Sequence, residues 1–182
     1  MAETGVAQNP ALRGAAPGLL VVAAGRPASR SNLRGRIMGD FIRCLKILHT
    51  SLVDTRIGYQ QGLKDAGGTG LASLFAERIE IHGQHADAVA AQLKRMGVPT
   101  DPRGSFTGTL DRAVMKLSSL FTRLDEKFLP QLIGGEQRLL LHYDKAIEDC
   151  SPENADYAVL LGQRDALRQR IAEMKAQAGM SG

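Results

Sequence analysis

After Arg36 the chain places apolar residues at a helical repeat. Ile37, Phe41, Leu45, Leu48, Leu52, Tyr59 and Leu63 fall on one face, which predicts a first helix of about seven turns. The pair Gly67-Gly68 ends it. A second stripe, Phe75, Ile79, His82, Ala86, Val89, Leu93 and Met96, alternates steps of four and three residues between Thr69 and Met96. That alternation is the seam of an antiparallel bundle. Gly97 closes the helix, and Pro99 and Pro102 prevent its continuation. A shorter helix is predicted over Thr107 to Thr122, with Leu110, Val114, Leu117 and Phe121 or Leu120 inward. A third long helix is predicted over Asp125 to Asp149, with the stripe Leu132, Glu136, Leu139, Tyr143 and Ala146. Pro130 falls near its first turns, where proline is tolerated. Ser151-Pro152-Glu153 reads as the start of a fourth long helix reaching Ala176, with hydroxyl cap, proline and acid in order. Its stripe is Tyr157, Leu160, Arg164, Leu167, Ile171 and Met174. No segment of this body reads as a strand. The expectation is an all-α, antiparallel four-helix bundle over 37–176, with a short extra helix in the long connection between the second and third helices.

Composition agrees with helix-on-helix packing. Of 182 residues, 43% are hydrophobic but only 4% aromatic, and Trp is absent. The 23% charged fraction is ordinary for a globular protein. No apolar run approaches the length of a membrane span. The net charge of +4 resides before Ile37, where Arg13, Arg26, Arg30, Arg34 and Arg36 face only Glu3, so the body is balanced. A balanced body is a poor footprint for nucleic acid, which is disfavoured as a partner except through this arginine-containing tail. Residues 1–36, rich in Ala, Gly, Pro and Ser, read as a disordered basic extension, and 177–182 as a frayed tail. Cys44 and Cys150 lack a CxxC spacing and read as free thiols of a cytoplasmic protein.

Three segments carry a family resemblance. They are Asp54-Thr55-Arg56-Ile57-Gly58-Tyr59, then Gly104-Ser105-Phe106-Thr107-Gly108-Thr109-Leu110-Asp111-Arg112-Ala113, and Gly135-Glu136 followed by Tyr143 and Ala146. In order and spacing the chain resembles a small bacterial family of ferritin-like four-helix bundles, a domain of unknown function related to rubrerythrin-type and ferritin-like folds. The resemblance implies a ferritin-like fold and no assigned enzyme activity.

Candidate chemistry sits where polar residues interrupt apolar stripes, at His82, Glu136 and Arg164. Burying such groups is costly without partners. One reading is a metal site. His82 and His85, one turn apart, would hold iron or zinc with Glu136. Yet a di-iron site needs Glu-x-x-His segments, and none occurs. Ile57 and Gln92 stand where ligating acids would be convenient, and Arg164 would repel a cation. The preferred reading is a buried polar network of His82, Glu136, Tyr143 and Arg164, with Glu136 and Arg164 as an ion pair. His49 and His142 read as flank positions. Gly67-Gly68-Thr69-Gly70 reads as a turn rather than a phosphate loop. The function expected is a non-catalytic bundle acting through association with itself or a protein partner. Its third-helix face would be widened by the exposed Ile133, Leu140 and Leu141, and no cofactor is expected. The alternative is an iron- or zinc-binding protein of redox or stress response with a divergent site.

Overall fold

A computed structural model describes residues 30–65, 71–101 and 128–180. These form four helices: α1 (Arg30–Asp65), α2 (Ala72–Arg95), α3 (Leu129–Glu148) and α4 (Ala155–Gln177). Among the described residues there is no strand. The short helix predicted over 107–122, the Gly67–Gly70 turn and the tail before residue 30 lie outside them.

The helix ends follow local chemistry. Gly97 adopts φ +73° after α2, and Gly179 adopts φ +66° after α4. Both conformations favour residues without a Cβ. Pro130 sits in the first turn of α3, where no backbone donor is lost. The start of α4 differs from expectation. Its cap is Asn154, whose side chain accepts from the Asp156 amide at 3.0 Å. The Ser151 hydroxyl instead donates to Glu153. An amide oxygen is as effective a cap as a hydroxyl, and Pro152 is used in the turn before it. Asn154→Ala is expected to cost about 1 kcal/mol, read as a lower urea midpoint.

Directions follow from paired side chains. Tyr59 of α1 meets Phe75 near the start of α2 and Glu136 of α3, while Cys44 donates to Asp149 just past α3. Glu77 pairs with Arg170, and Arg95 with Asp156, so α2 and α4 are antiparallel. His82 meets Glu136, and His85 meets Tyr143, so α2 and α3 run the same way. Thus α1 and α4 point one way, and α2 and α3 the other. One core unites them, built on Phe41, Leu45, Leu48 and Leu52 of α1, Phe75, Val89 and Leu93 of α2, Leu139 of α3 and Leu160 and Leu167 of α4.

Four positions differ from expectation: Ile37, Ile133, Leu140 and His49. Ile37 is helical but 48% exposed. Helical hydrogen bonds are local and persist past the last packed turn. Ile133 is buried, because α3 packs on both α1 and α4. Only Leu141 of the three third-helix residues named above is well exposed, at 66%. His49, expected at a flank, is buried on α1, and burial is the main cause of its lowered pKa.

Candidate functional site

Three helices bring one acid to the centre. Glu136 of α3 is 1% exposed. Its Oε1 accepts from the Tyr59 hydroxyl at 2.6 Å and from His82 Nε2 at 2.9 Å. The Tyr59 and His82 rings stack with centroids 5.6 Å apart. The guanidinium of Arg78, one turn before His82, is buried beside them, and its charge acts on both Glu136 and Tyr59. The α2 stripe therefore delivers a cation and an imidazole to one carboxylate, while α1 delivers a phenol.

Electrostatics fix the ionisation. Burial pushes the Glu136 carboxyl up, but the His82 and Tyr59 hydrogen bonds and the Arg78 charge outweigh it and hold the group below its ordinary value. The anion is the resident form at neutral pH. Burial first, and then the neighbouring Glu136 anion, push the Tyr59 phenol well above its ordinary value. Tyr59 is therefore a donor here and not a base.

A second cluster adjoins the first. The Tyr143 hydroxyl donates to Gln163 Oε1 at 3.2 Å and lies 3.0 Å from His85 Nδ1. With its single proton engaged, the phenol accepts from the Nδ1–H tautomer of His85. Burial, then the nearby His82 and Arg170, lower His85 to about 4. A depressed histidine favours the fold above its unfolded value near 6.5. Stability is then lost as pH falls from that value toward 4. We expect His85→Asn, which keeps a donor for Tyr143, to flatten the dependence of the melting temperature on pH across this interval.

The sequence-predicted residues are only partly brought together. His82 and Glu136 are bonded, with Tyr143 in the adjoining cluster. Arg164 lies elsewhere, 2.8 Å from Asp165 and 3.7 Å from Asp144. Its long side chain leans outward from the α4 stripe to surface acids. Arg78 supplies the buried cation instead. His85 turns to Tyr143, so the two imidazoles of the spacing do not share one ligand position. Gln92 is buried with neither amide atom hydrogen-bonded. Sequence reasoning missed Tyr59 and Arg78. Tyr59 carried a signal, because it sits in the Asp54–Tyr59 segment, but it read as one more apolar stripe residue.

A groove of about 520 Å³ opens between α1 and α3 over this centre. Tyr59, Phe75, Phe128, Leu132, Leu139 and Glu136 line it, with Asp54, Arg138 and His142 among its polar residues. Gly58, Gly62 and Gly135 also line it. A Cβ on Gly58 would meet nothing within 4 Å, so this glycine leaves open space. Two of the resembling segments, through Asp54, Gly58, Tyr59, Gly135 and Glu136, thus converge on one place.

The groove offers little for covalent chemistry. The Thr55 hydroxyl donates to the Ser51 carbonyl at 2.7 Å. Burial raises both thiols, Cys150 to about 11, so they are protonated at neutral pH. Among the described residues, no three His, Cys, Asp or Glu side chains are grouped to hold a metal. No helix among them is long and apolar enough to cross a membrane.

The described chain is thus an all-helical protein of four helices with a buried carboxylate network at their centre. A family model described as Domain of unknown function (DUF2383) matches residues 40–149, and the chain belongs to this family. The matched span holds α1 from Asp40, all of α2 and α3, and all three segments of the resemblance. No curated protein and no solved structure matches the chain.

Proposed function

We propose that the protein is a non-catalytic, ferritin-like helical bundle acting through association with itself or a protein partner. In this reading a hydrogen-bonded charge network stands where ferritin-like relatives hold metal. The helix directions support the fold assignment, because a ferritin-like bundle has one long crossover joining second and third helices that run in parallel. The carrying observation is the engagement of Glu136. Its carboxylate is held by Tyr59 and His82 beside the buried Arg78.

A di-iron centre draws a glutamate from each of two helices and a Glu-x-x-His pair from each of the others. At this centre α1 gives a phenol and α2 an imidazole and a guanidinium, while the α4 amide, Gln163, bonds Tyr143 in the adjoining cluster. These residues do not fit that centre, since a fixed buried cation repels a second one. The buried, protonated thiols of Cys44 and Cys150 support a reducing, cytoplasmic setting. The exposed Leu141 on α3 supports an association face.

One observation favours the metal reading, as a divergent iron or zinc site in redox or stress response. His82 Nδ1 and Glu136 Oε2 are buried and lack hydrogen-bond partners. The test is to equilibrate purified protein with ferrous iron and with zinc, remove the excess, and measure bound metal. The network reading expects no retained metal and no change in melting temperature. Retention of about one ion per chain, lost in both Glu136→Gln and His82→Gln, would overturn it.

A further inference from the structure

The first turns of α1 project past the packed body. Every residue from Leu33 to Gly39 is exposed, and burial begins at Phe41. At 1.5 Å per residue α1 is about 54 Å long, while α2 is about 36 Å. The projecting turns carry three large apolar side chains, Leu33, Ile37 and Met38, each about half exposed. Leu33 and Ile37 extend the line of Phe41 and Leu45, one turn apart, past the buried core of the described residues. Arg34 and Arg36 lie among them. No acid occurs between Arg30 and Gly39, and the first acid, Asp40, is engaged by Arg43 at 2.7 Å. The stub also contains Gly35 and Gly39, each with open space at its Cβ position. Glycines within a helix weaken it, and an end without packing has no tertiary support.

We infer that this projecting end of α1 docks on an anionic lipid surface. Leu33, Ile37 and Met38 enter the boundary between headgroups and acyl chains, while Arg34 and Arg36 reach the phosphates along their own methylene stems. Both halves of the surface are needed for this choice. A nucleic acid would satisfy the arginines but leave three large apolar side chains in water. A second copy would cover the apolar side chains but bring the arginines of two stubs together without acids. An anionic headgroup layer meets both demands at once. Binding would also order the glycine-weakened turns, so the free stub is less helical than the bound one. The inference is independent of how the polar centre is read, because residues 33–39 are exposed and none of them belongs to the buried core of the described residues.

The test uses the full chain with vesicles of phosphatidylcholine alone and of phosphatidylcholine mixed with phosphatidylglycerol. Co-sedimentation is expected only with the mixed vesicles. Its partition coefficient should fall about tenfold or more on going to high salt, as exposed charges are screened. Ile37→Glu with Met38→Glu should bring binding to background without changing the melting temperature. Arg34→Gln with Arg36→Gln should lower it about tenfold or more. Gly39→Ala should raise it, because the stub is then better organised before binding. Failure of the wild-type chain to bind mixed vesicles at low salt overturns the inference. So does full binding by the Ile37→Glu, Met38→Glu variant. A dimer in vesicle-free solution that this variant breaks would assign the surface to a second copy. Tighter binding to duplex DNA than to vesicles, indifferent to this variant, would assign it to nucleic acid.

Discussion

Glu136→Ala is expected to destabilise the protein by about 3–5 kcal/mol, the cost of leaving a buried charge without its counterpart. The deletion removes the acceptor shared by Tyr59 and His82. It also removes an anion on which the buried Arg78 guanidinium acts. Urea unfolding should show a lower midpoint at unchanged slope. Glu136→Gln is the control, since it keeps shape and one acceptor oxygen but loses the charge. Its cost should be smaller, about 1–3 kcal/mol, the range for a buried polar group losing part of its partnership. Equal stability of both variants with the wild type would mean that the contacts around Glu136 do not hold the helices together.

The second large effect is expected from His82→Leu, at about 1.5–3 kcal/mol, the range for losing a hydrogen bond to a charged group. His82 is the strongest of the influences that hold the Glu136 carboxyl below its ordinary value against burial. Without it, burial should dominate and the carboxyl should titrate higher. The sign is fixed by linkage. A carboxyl depressed in the fold contributes stability above its unfolded value, and this is lost as pH falls through the lower folded value. In His82→Leu, with the folded value raised above the unfolded one, the sign reverses: the ionised Glu136 destabilises the fold at neutral pH, and the variant's deficit should narrow as pH falls and the carboxyl is protonated. Unfolding curves at stepped pH check both the magnitude and this narrowing.

Helix existence was legible because the period of the apolar stripe survives in sequence wherever a helix has one buried face. Glu136 and His82 were legible as site residues for the same reason, since each is a polar residue at a position the stripe reserves for the core. Arg164 occupied such a position too, and the structure turns it toward Asp144 and Asp165. A stripe gives the direction of a Cα–Cβ bond, not the end point of a long flexible side chain. Arg78 was missed by the converse error. It lies one turn before His82, and a guanidinium there reads as solvated until the partner helices are known. In sequence Tyr59 is one more apolar stripe residue, because its hydroxyl matters only once α3 places Glu136 within 2.6 Å. The α4 cap was misplaced by three residues, because Ser151-Pro152-Glu153 and Asn154 both satisfy the rules for helix starts. Which one wins depends on where Asp156 must meet Arg95.

The most direct measurement is a carbon-13 NMR titration of the Glu136 side-chain carboxyl in the intact protein, with Glu136→Gln used for assignment. The network account predicts that the carboxyl stays ionised down to a pH below its ordinary value of 4.5. It also predicts that added zinc leaves the resonance unmoved. Titration above that value, or a zinc-dependent shift at neutral pH, would contradict the account and make Glu136 a free ligand.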